Sequence, residues 1–269
     1  MTKLNRKHFL GGLGCAAAGT LFGAYIPRAF VPDDWYAPDP PQRRKKPAPA
    51  IPPPDDGVES FSQAGEDLNL DFTFRALFGG AQVTYLDVGA HHPTEINNTY
   101  FFYLRGGRGV LVEPNAAYCK VLRKYRPDDV TLEAGIGFGE TTEADYYLLN
   151  ESALNTFSKE QAERLVAESK GGYHIEEVRK VPLLNINDVM AEHFQGAPTF
   201  VSIDVEGLDL EILRSIDFAR FRPKAFCVET LIANSRKQRT EIAEFLATQR
   251  YTARGGSFVN TIFYDDALL

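Results

Sequence analysis

Short apolar runs alternate with segments of helical spacing from residue 58 to the end of the chain. The runs are nearly continuous in Val, Ile, Leu and Phe, as expected of central strands that are covered on both faces. They span residues 83–88, 109–112, 130–134, 199–204 and 224–229. The predicted helices span residues 62–77, 94–104, 116–125, 209–216 and 235–249. This alternation predicts an α/β fold with a mostly parallel sheet and helices on both faces.

Two regions depart from the simple alternation. Residues 251–264 form two strand-like runs about the turn Gly255-Gly256, which predicts an antiparallel C-terminal hairpin at the edge of the sheet. Residues 140–198 are more than one strand–helix unit needs. We therefore expect extra strands at 144–149 and 178–183, together with a helical flap.

The first predicted helix follows the segment SQAGED, residues 62–67. Ser62 is either the cap of that helix or part of a segment that closes over a ligand and places Gln63 or Glu66 in the site. The predicted core face of the helix has the spacing i, i+4, i+8 and consists of Leu68, Phe72 and Ala76.

The chain divides into three parts, residues 1–26, 27–57 and 58–269. In the first, three bases precede an uncharged run of eighteen residues, which is typical of a membrane anchor or an export signal. The second contains ten of the sixteen prolines and predicts an extended linker. The third is long enough to bury a sizeable core and is the predicted folded domain.

Composition and charge exclude several classes of protein. With 44% hydrophobic and 24% charged residues, the chain is neither collagen-like nor wholly disordered. The net charge is −7, and residues 1–57 carry eight bases and five acids, so the rest of the chain has a net charge of −10. A domain of that charge has no general attraction for nucleic acid. Three cysteines without zinc-ligand spacing predict no zinc site, and the acids Asp204 and Glu206 are not expected to hold a metal ion either.

Carboxylates follow several predicted strands. Ligands of open α/β sheets bind beyond the carboxyl ends of the strands, so these residues mark the candidate site. Each alone could be a helix cap, but several carboxylates at one edge repel one another unless a ligand or donor compensates. The acids are Asp87, Glu113, Asp204 and Glu229.

The turn after the first strand decides between two cofactor classes. A dinucleotide requires several glycines beside its pyrophosphate, whereas this turn has Gly89 followed by Ala90, His91 and His92. S-adenosylmethionine has no phosphate. Glu113 could accept hydrogen bonds from its ribose hydroxyls, and Asp87 could hold its cationic amino-acid end. The pattern therefore favours S-adenosylmethionine over a nicotinamide or flavin cofactor.

Six segments in order resemble the FkbM-type S-adenosylmethionine-dependent methyltransferases. They are SQAGED (62–67), YLDVGAHHP (85–93), NNTYFF (97–102), GVLVEPN (109–115), SIDVEGLDLEIL (202–213) and RPKAFCVET (222–230). The resemblance covers essentially residues 60–264. It implies a class I methyltransferase fold, Rossmann-like, and O-methylation of a hydroxyl on a sugar, glycolipid or related small molecule.

The resemblance also implies roles for individual residues. Asp87, Gly89 and Ala90 occupy the first cofactor motif, and Glu113 is the ribose-binding acid. Asp204 and Glu206 lie in the motif beside the transferred methyl group. His91 stands where many relatives have Asn. A general base would activate the acceptor hydroxyl, and the candidates are His91, His92, Asp204, Glu206 and Glu229, with His92 and Asp204 favoured.

Two questions remain open at this point. A membrane-tethered, non-catalytic S-adenosylmethionine-binding or scaffold protein is the alternative to an enzyme. The opening Arg6-Lys7-His8-Phe9-Leu10 resembles a twin-arginine (Tat-like) export signal, with Lys as the second base. Because the cofactor is cytosolic, we expect membrane association through residues 9–26 with a cytoplasmic domain, and export is the alternative. The acceptor, its methylated position and the oligomeric state are not indicated.

Overall fold

The computed structural model describes residues 57–79, 81–205, 207–232 and 237–269. The predicted anchor, nearly all of the predicted linker and Glu206 lie outside them. Residues Phe61–Leu269 form one compact unit. Every helix in the described part of the chain falls short of the length and apolarity that crossing a bilayer requires.

Seven strands form the main sheet, and its architecture confirms the predicted fold class. The strands are β1 (Thr84–Val88), β2 (Arg108–Val112), β3 (Val130–Leu132), β7 (Phe200–Ile203), β8 (Ala225–Glu229), β9 (Tyr251–Gly256) and β10 (Asn260–Asp265). Their order is β3-β2-β1-β7-β8-β10-β9. The first five are parallel, and β10 lies antiparallel between β8 and β9. The C-terminal hairpin therefore closes one edge of the sheet.

The turn of this hairpin is later than predicted. Gly255 and Gly256 belong to β9, and the chain reverses at residues 257–259. The Ser257 hydroxyl forms the turn by accepting the backbone N–H groups of Val259 and Asn260, both at 3.1 Å. A Cβ on Gly256 would lie 2.2 Å from the carbonyl oxygen of Asn260, so glycine is needed for close strand approach rather than for the reversal.

A second, three-stranded sheet fills the region between β3 and β7. It contains β4 (Gly135–Gly137), β5 (Glu143–Leu149) and β6 (Ile175–Asn185), in the order β4-β6-β5. The predicted extra strands are thus confirmed as β5 and β6. The predicted flap contains a 3-10 turn at Ser152–Leu154 and a helix at Lys159–Glu168.

Two hydrophobic clusters cover the two faces of the main sheet. The helices are α1 (Glu66–Phe78), α2 (Tyr100–Leu104), α3 (Ala116–Tyr125), α4 (Lys159–Glu168), α5 (Ile186–His193), α6 (Asp209–Ser215) and α7 (Thr240–Thr248). Residues of α1, α2 and α3 belong to one cluster, and residues of α5, α6 and α7 to the other. Alternate strand residues join opposite clusters, as the period of two requires.

The predicted helices at 94–104 and 235–249 are shorter in the structure. Ile96 has a left-handed φ of 51°, which interrupts a right-handed helix before Asn97. The Asn97 side chain then accepts the N–H groups of Thr99 and Tyr100, so helical structure begins only at Tyr100. Similarly, α7 begins at Thr240, because the backbone before it pairs with the end of β8.

The core face predicted for the first helix is wrong at two of its three positions, since Leu68 is partly buried and packs against the core. Phe72 is 70% exposed and Ala76 is exposed, whereas Leu70 and Phe74 are buried. The helix begins at Glu66, after a left-handed Gly65, and its buried stripe is Glu66, Leu70 and Phe74. An apolar pattern could not reveal this stripe, because its first member is a buried carboxylate.

Candidate active site

Three carboxylates meet at the carboxyl ends of adjacent strands. Since β1 lies between β2 and β7, Asp87 in β1 has Glu113 after β2 on one side and Asp204 after β7 on the other. Burial is the main cause of a raised pKa at both Glu113 and Asp204, and the negative charge of Asp87 raises both further. The structure therefore brings together three of the four acids predicted at this edge.

Gly89 allows the strand ends to approach closely. Its φ is 84°, and a Cβ there would lie 1.9 Å from the carbonyl oxygen of Asp204. The N–H groups of Gly89 and Ala90 both donate to the carbonyl of Val112, at 2.9 and 3.2 Å. The turn is therefore held against both neighbouring strands, which leaves no room for a side chain at Gly89.

Glu113 is buried, and each of its oxygens accepts one backbone N–H. Oε2 accepts from His91 at 2.8 Å and Oε1 from Asn115 at 2.7 Å. Burial raises its pKa to about 7 despite these donors. Each oxygen retains a further lone pair, so the carboxylate can still accept hydrogen bonds from two ligand hydroxyls.

Asp87 is buried and is held by side chains from the loop before α2. Its Oδ2 accepts from the Thr99 hydroxyl at 2.7 Å and from Asn97 Nδ2 at 3.3 Å. The same Nδ2 donates to the carbonyls of Ala90 and His92. Asn97 thus links Asp87 to the turn that follows it.

Asp204 is followed by a loop that a buried ion pair organises. Asp209 accepts the N–H groups of Val205 and Gly207 at 3.1 and 3.3 Å, and it pairs with Arg239 at 2.6 Å. Burial, then the charges of Asp209 and Asp87, raise the pKa of Asp204 to about 7, while Arg239 opposes the shift. Asp204 is therefore poised to exchange a proton near neutral pH.

The two histidines occupy different environments. His91 has a left-handed φ of 46°, and its ring lies 4.1 Å from that of Tyr118. Burial lowers the pKa of His91 to about 4, so it is neutral at physiological pH. His92 Nδ1 accepts the N–H of Glu95 at 3.0 Å, so that nitrogen caps the local turn. His92 thus has a structural role in this turn.

The flap contacts two sides of the candidate site. The Ser152 hydroxyl lies 2.6 Å from the hydroxyl of Tyr118 and 3.3 Å from His91 Nε2. On α4, Gln161 Oε1 lies 3.5 Å from the place that a Cβ of Gly207 would take. The flap therefore packs against the turn after β1 and the loop after β7.

The first residue of α1, Glu66, is connected to the C-terminal hairpin and acts electrostatically on Asp204. Glu66 is buried, and it accepts hydrogen bonds from Ser257 and from Asn260 Nδ2 on the C-terminal hairpin. Its charge also raises the pKa of Asp204 slightly. The Ser62 hydroxyl accepts the N–H groups of Gly65 and, at 3.4 Å, of Asp67 in the first turn of α1, and it donates to the Asp67 carboxylate. These contacts support the capping interpretation of Ser62, and the placement of Gln63 or Glu66 in the site stays a prediction.

Two further base candidates, Glu229 and Glu206, stay predictions. Glu229 ends β8 and is half-buried beside Asn260 of β10. Glu206 lies outside the described residues. The sequence pattern does not indicate five other residues around the site, which are Thr99, Arg126, Ser152, Tyr118 and Asp209. Asp209 and Thr99 lie within the segments that resemble the family, so their position could have indicated a role in the site. Nothing in the sequence around Arg126 or Ser152 indicates such a role.

The site suits a cationic ligand with hydroxyl groups. Burial raises the pKa of Asp87, Glu113 and Asp204, so each of these carboxylates is ionised at a cost that a nearby positive charge offsets. A pyrophosphate would instead add like charge. S-adenosylmethionine carries an ammonium group, a sulfonium and a ribose diol, which match Asp87, Asp204 and Glu113 in chemistry.

Solved structures similar to this chain include several methyltransferases. One is an O-methyltransferase from Bacillus cereus in complex with SAH, at 12% identity and TM-score 0.39, with 79% of this chain and 84% of that chain covered. Another is a precorrin-6y C5,15-methyltransferase from Geobacter metallireducens GS-15, at 13% identity and TM-score 0.39, with 77% and 93% covered. Monomeric WbdD aligns at 13% identity and TM-score 0.42, with 78% and 43% covered.

A comparison with curated proteins gave no match. The family model described as the methyltransferase FkbM domain matches residues 87–253, which is more than half of the chain. The match begins at Asp87 and includes Glu113, Asp204 and Arg239. The chain therefore belongs to the FkbM methyltransferase family, and it is an S-adenosylmethionine-dependent methyltransferase.

Proposed function

We propose that this methyltransferase acts on a hydroxyl group of a sugar, glycolipid or related metabolite. The observation that carries the proposal is Asp204, a half-buried carboxylate whose pKa is raised to about 7 beside the cofactor motif. An alcohol is a poor nucleophile until a base accepts its proton, and a base that titrates near neutral pH suits this task. An amine or a thiolate acceptor would need such a base less.

The side chains near Asp204 favour a polar acceptor. Asn98 donates at 3.1 Å to Ser202, which lies on β7 two residues before Asp204, and Ser257 and Asn260 bind Glu66, whose charge acts on Asp204. Hydroxyl, amide and carboxylate groups of this kind form the hydrogen bonds that sugar hydroxyls require. Together with the net charge of the domain, they support a neutral polar substrate over an anionic one.

These positions give each residue a proposed role in methyl transfer. When bound, the cofactor would supply a methyl group on a positively charged sulfur; the substrate oxygen would bond to the methyl carbon as the carbon–sulfur bond breaks, and S-adenosylhomocysteine would leave. Asp87 and Glu113 hold and orient it, and Asp204 accepts the proton that the substrate hydroxyl loses. The flap residues Ser152 and Gln161 limit the access of water. Positioning alone contributes up to roughly 7–11 kcal/mol in well-aligned reactions.

Label transfer tests the proposal. The purified full-length protein is incubated with methyl-labelled S-adenosylmethionine and fractionated cell glycans and lipids, in parallel with Asp204→Asn. We expect an alkali-stable label in a glycan or glycolipid fraction with the wild type and little with the variant. Label in an amine or a thiol instead would contradict the acceptor class. Cofactor binding without transfer to any fraction would favour the tethered, non-catalytic alternative.

A further inference from the structure

A buried arginine lies behind the carboxylate that is proposed to hold the cofactor. Arg126 follows α3 and is fully buried. Its Nε and Nη2 both contact Oδ2 of Asp129 at 2.8 Å. The Tyr85 hydroxyl and the Gly109 N–H also donate to Asp129, at 3.0 and 2.8 Å. Asp129 is thus bound on several sides, which fixes the orientation of the guanidinium group.

The third guanidinium nitrogen of Arg126, Nη1, is connected to Asp87 by the side chain of Thr99. Nη1 donates to the hydroxyl oxygen of Thr99 at 2.9 Å and to Asn97 Oδ1 at 3.1 Å. The Thr99 hydroxyl lies 2.7 Å from Asp87 Oδ2 and 3.0 Å from Asn97 Oδ1. Because Asn97 Oδ1 already accepts from Arg126 and two backbone N–H groups, the hydroxyl proton of Thr99 goes to Asp87.

Most ionisable groups around Asp87 are acidic, so the connection to Arg126 affects whether Asp87 is ionised. The other ionisable groups that face it are Asp129, Glu113, Asp204 and Cys227, whereas Arg126 brings a positive charge. Burial raises the pKa of Asp87, and Arg126, Thr99 and Asn97 lower it. We call the hydrogen bonds from Arg126 through Thr99 and Asn97 to Asp87 the relay. Without the relay, burial and the three neighbouring acids would all favour the protonated form of Asp87.

We propose that Arg126, acting through Thr99 and Asn97, is a positioning residue that keeps Asp87 ionised and oriented toward the cationic end of the cofactor. Arg126 touches neither cofactor nor substrate in this arrangement. It acts by polarising the Thr99 hydroxyl, which strengthens the hydrogen bond to Asp87. The proposal rests on the role given to Asp87 under the proposed function and is independent of the acceptor.

Replacing Thr99 tests the relay without removing a buried charge. Thr99→Val keeps the shape of the side chain and removes the hydroxyl, and Thr99→Ser keeps the hydroxyl. Thr131→Val is the matched control, because the Thr131 hydroxyl is buried on β3 and has no hydrogen-bond partner among the described residues. Calorimetry with S-adenosylmethionine and S-adenosylhomocysteine between pH 5 and 9 measures affinity in full-length proteins.

We expect Thr99→Val to weaken binding roughly tenfold at pH 7.5, the size expected for one lost hydrogen bond to a charged group. Its affinity should also begin to fall at a higher pH than that of the wild type as the solution is acidified, because Asp87 would take up a proton more readily. Thr99→Ser should restore both properties, and Thr131→Val should bind as the wild type does.

Wild-type affinity and pH dependence in Thr99→Val would overturn the proposal. A merely structural role would lower the melting temperature without moving the pH dependence, which would equally contradict it. If Thr99→Val does not fold, Asn97→Asp provides the second test, since it places a negative charge beside Asp87 and should shift the pH dependence in the same direction. No acceptor is present, so these outcomes are separate from failure of the proposed methyl transfer.

Discussion

The backbone N–H of His91 donates to the carboxylate of Glu113 at 2.8 Å, which connects the turn after β1 to the end of β2. Glu113 therefore serves the fold and the proposed cofactor site with the same oxygens. Both roles require Glu113 to be buried, and burial raises its pKa to about 7, so its ionised form is less stable than in water. A ligand that donates hydrogen bonds or brings positive charge offsets part of that cost.

We expect Glu113→Gln to lose cofactor affinity by about 10–100-fold, because the amide can accept at only one of its two atoms. Calorimetry with S-adenosylhomocysteine measures this loss. The control is Glu133→Gln, which alters an exposed carboxylate in a surface ion pair with Arg123. An unchanged affinity in Glu113→Gln would remove Glu113 from the site.

The same residue should govern part of the pH dependence of stability. Its pKa is raised from 4.5 to about 7 on folding, so the folded state binds the proton more tightly than the unfolded state. The resulting contribution of Glu113 to the free energy of unfolding is roughly 3 kcal/mol. It is complete below pH 4.5 and is lost as the pH rises through about 7. Urea unfolding of the cofactor-free protein from pH 4.5 to 8 should show this decline in the wild type, and a shallower one in Glu113→Gln.

Gly89→Ala should destabilise the protein by more than about 2 kcal/mol beyond the strain of its left-handed backbone. The reason is the overlap with the Asp204 carbonyl, which cannot move without disturbing β7. Gly139→Ala is the control, because Gly139 has a similar φ of 79° and nothing within 4 Å of its Cβ position. Equal loss of unfolding free energy in the two variants would show that close approach at Gly89 has no role.

The strand ends could be predicted from the sequence, because apolar runs followed by acids determine where each parallel strand stops. Asp87, Glu113 and Asp204 were found in this way, and strand order then placed them together. The α1 stripe was not predictable from the apolar pattern, since Glu66 occupies a core-facing position. A buried carboxylate is identified only by its partners, which here are 191 and 194 residues away in sequence.

The residues that support the site, Arg126 and Ser152, were likewise not predictable from the sequence. Arg126 follows two other bases at the end of α3, and such residues usually extend into solvent. It is buried instead because Asp129 and the loop around Asn97 satisfy its donors. Likewise, Ser152 lies in an insertion whose packing depends on the second sheet. Long-range polar contacts leave no periodic trace in the sequence.

Tyr118→Phe should loosen the flap without unfolding the protein. The lost contact is the 2.6 Å hydrogen bond to Ser152, whose net contribution to stability is about 1 kcal/mol. We expect faster dissociation of S-adenosylhomocysteine in stopped-flow measurements and faster proteolysis within residues 150–158. Tyr125→Phe on the same helix is the control, because Tyr125 is 52% exposed. Identical dissociation rates in both variants would show that Ser152 does not hold the flap closed.

Asp204→Asn should reduce the rate of methyl transfer by about 10²–10⁴-fold, the usual contribution of a general base. The wild-type kcat/KM for the acceptor should fall below about pH 7, because the protonated carboxyl can no longer accept the hydroxyl proton. Positive charge on the bound cofactor stabilises ionised Asp204, so the inflection at saturating cofactor should lie at or below that value.

The pH profile separates a base from a residue that only binds the cofactor. If Asp204 is the base, Asp204→Asn loses kcat and the acidic limb of its profile disappears, while cofactor affinity changes by less than the rate does. Asp128→Asn, which alters an exposed carboxylate paired with Arg108, should leave both unchanged. A variant that keeps the wild-type profile at saturating cofactor would exclude Asp204 as the base and leave it a binding role beside Asp87.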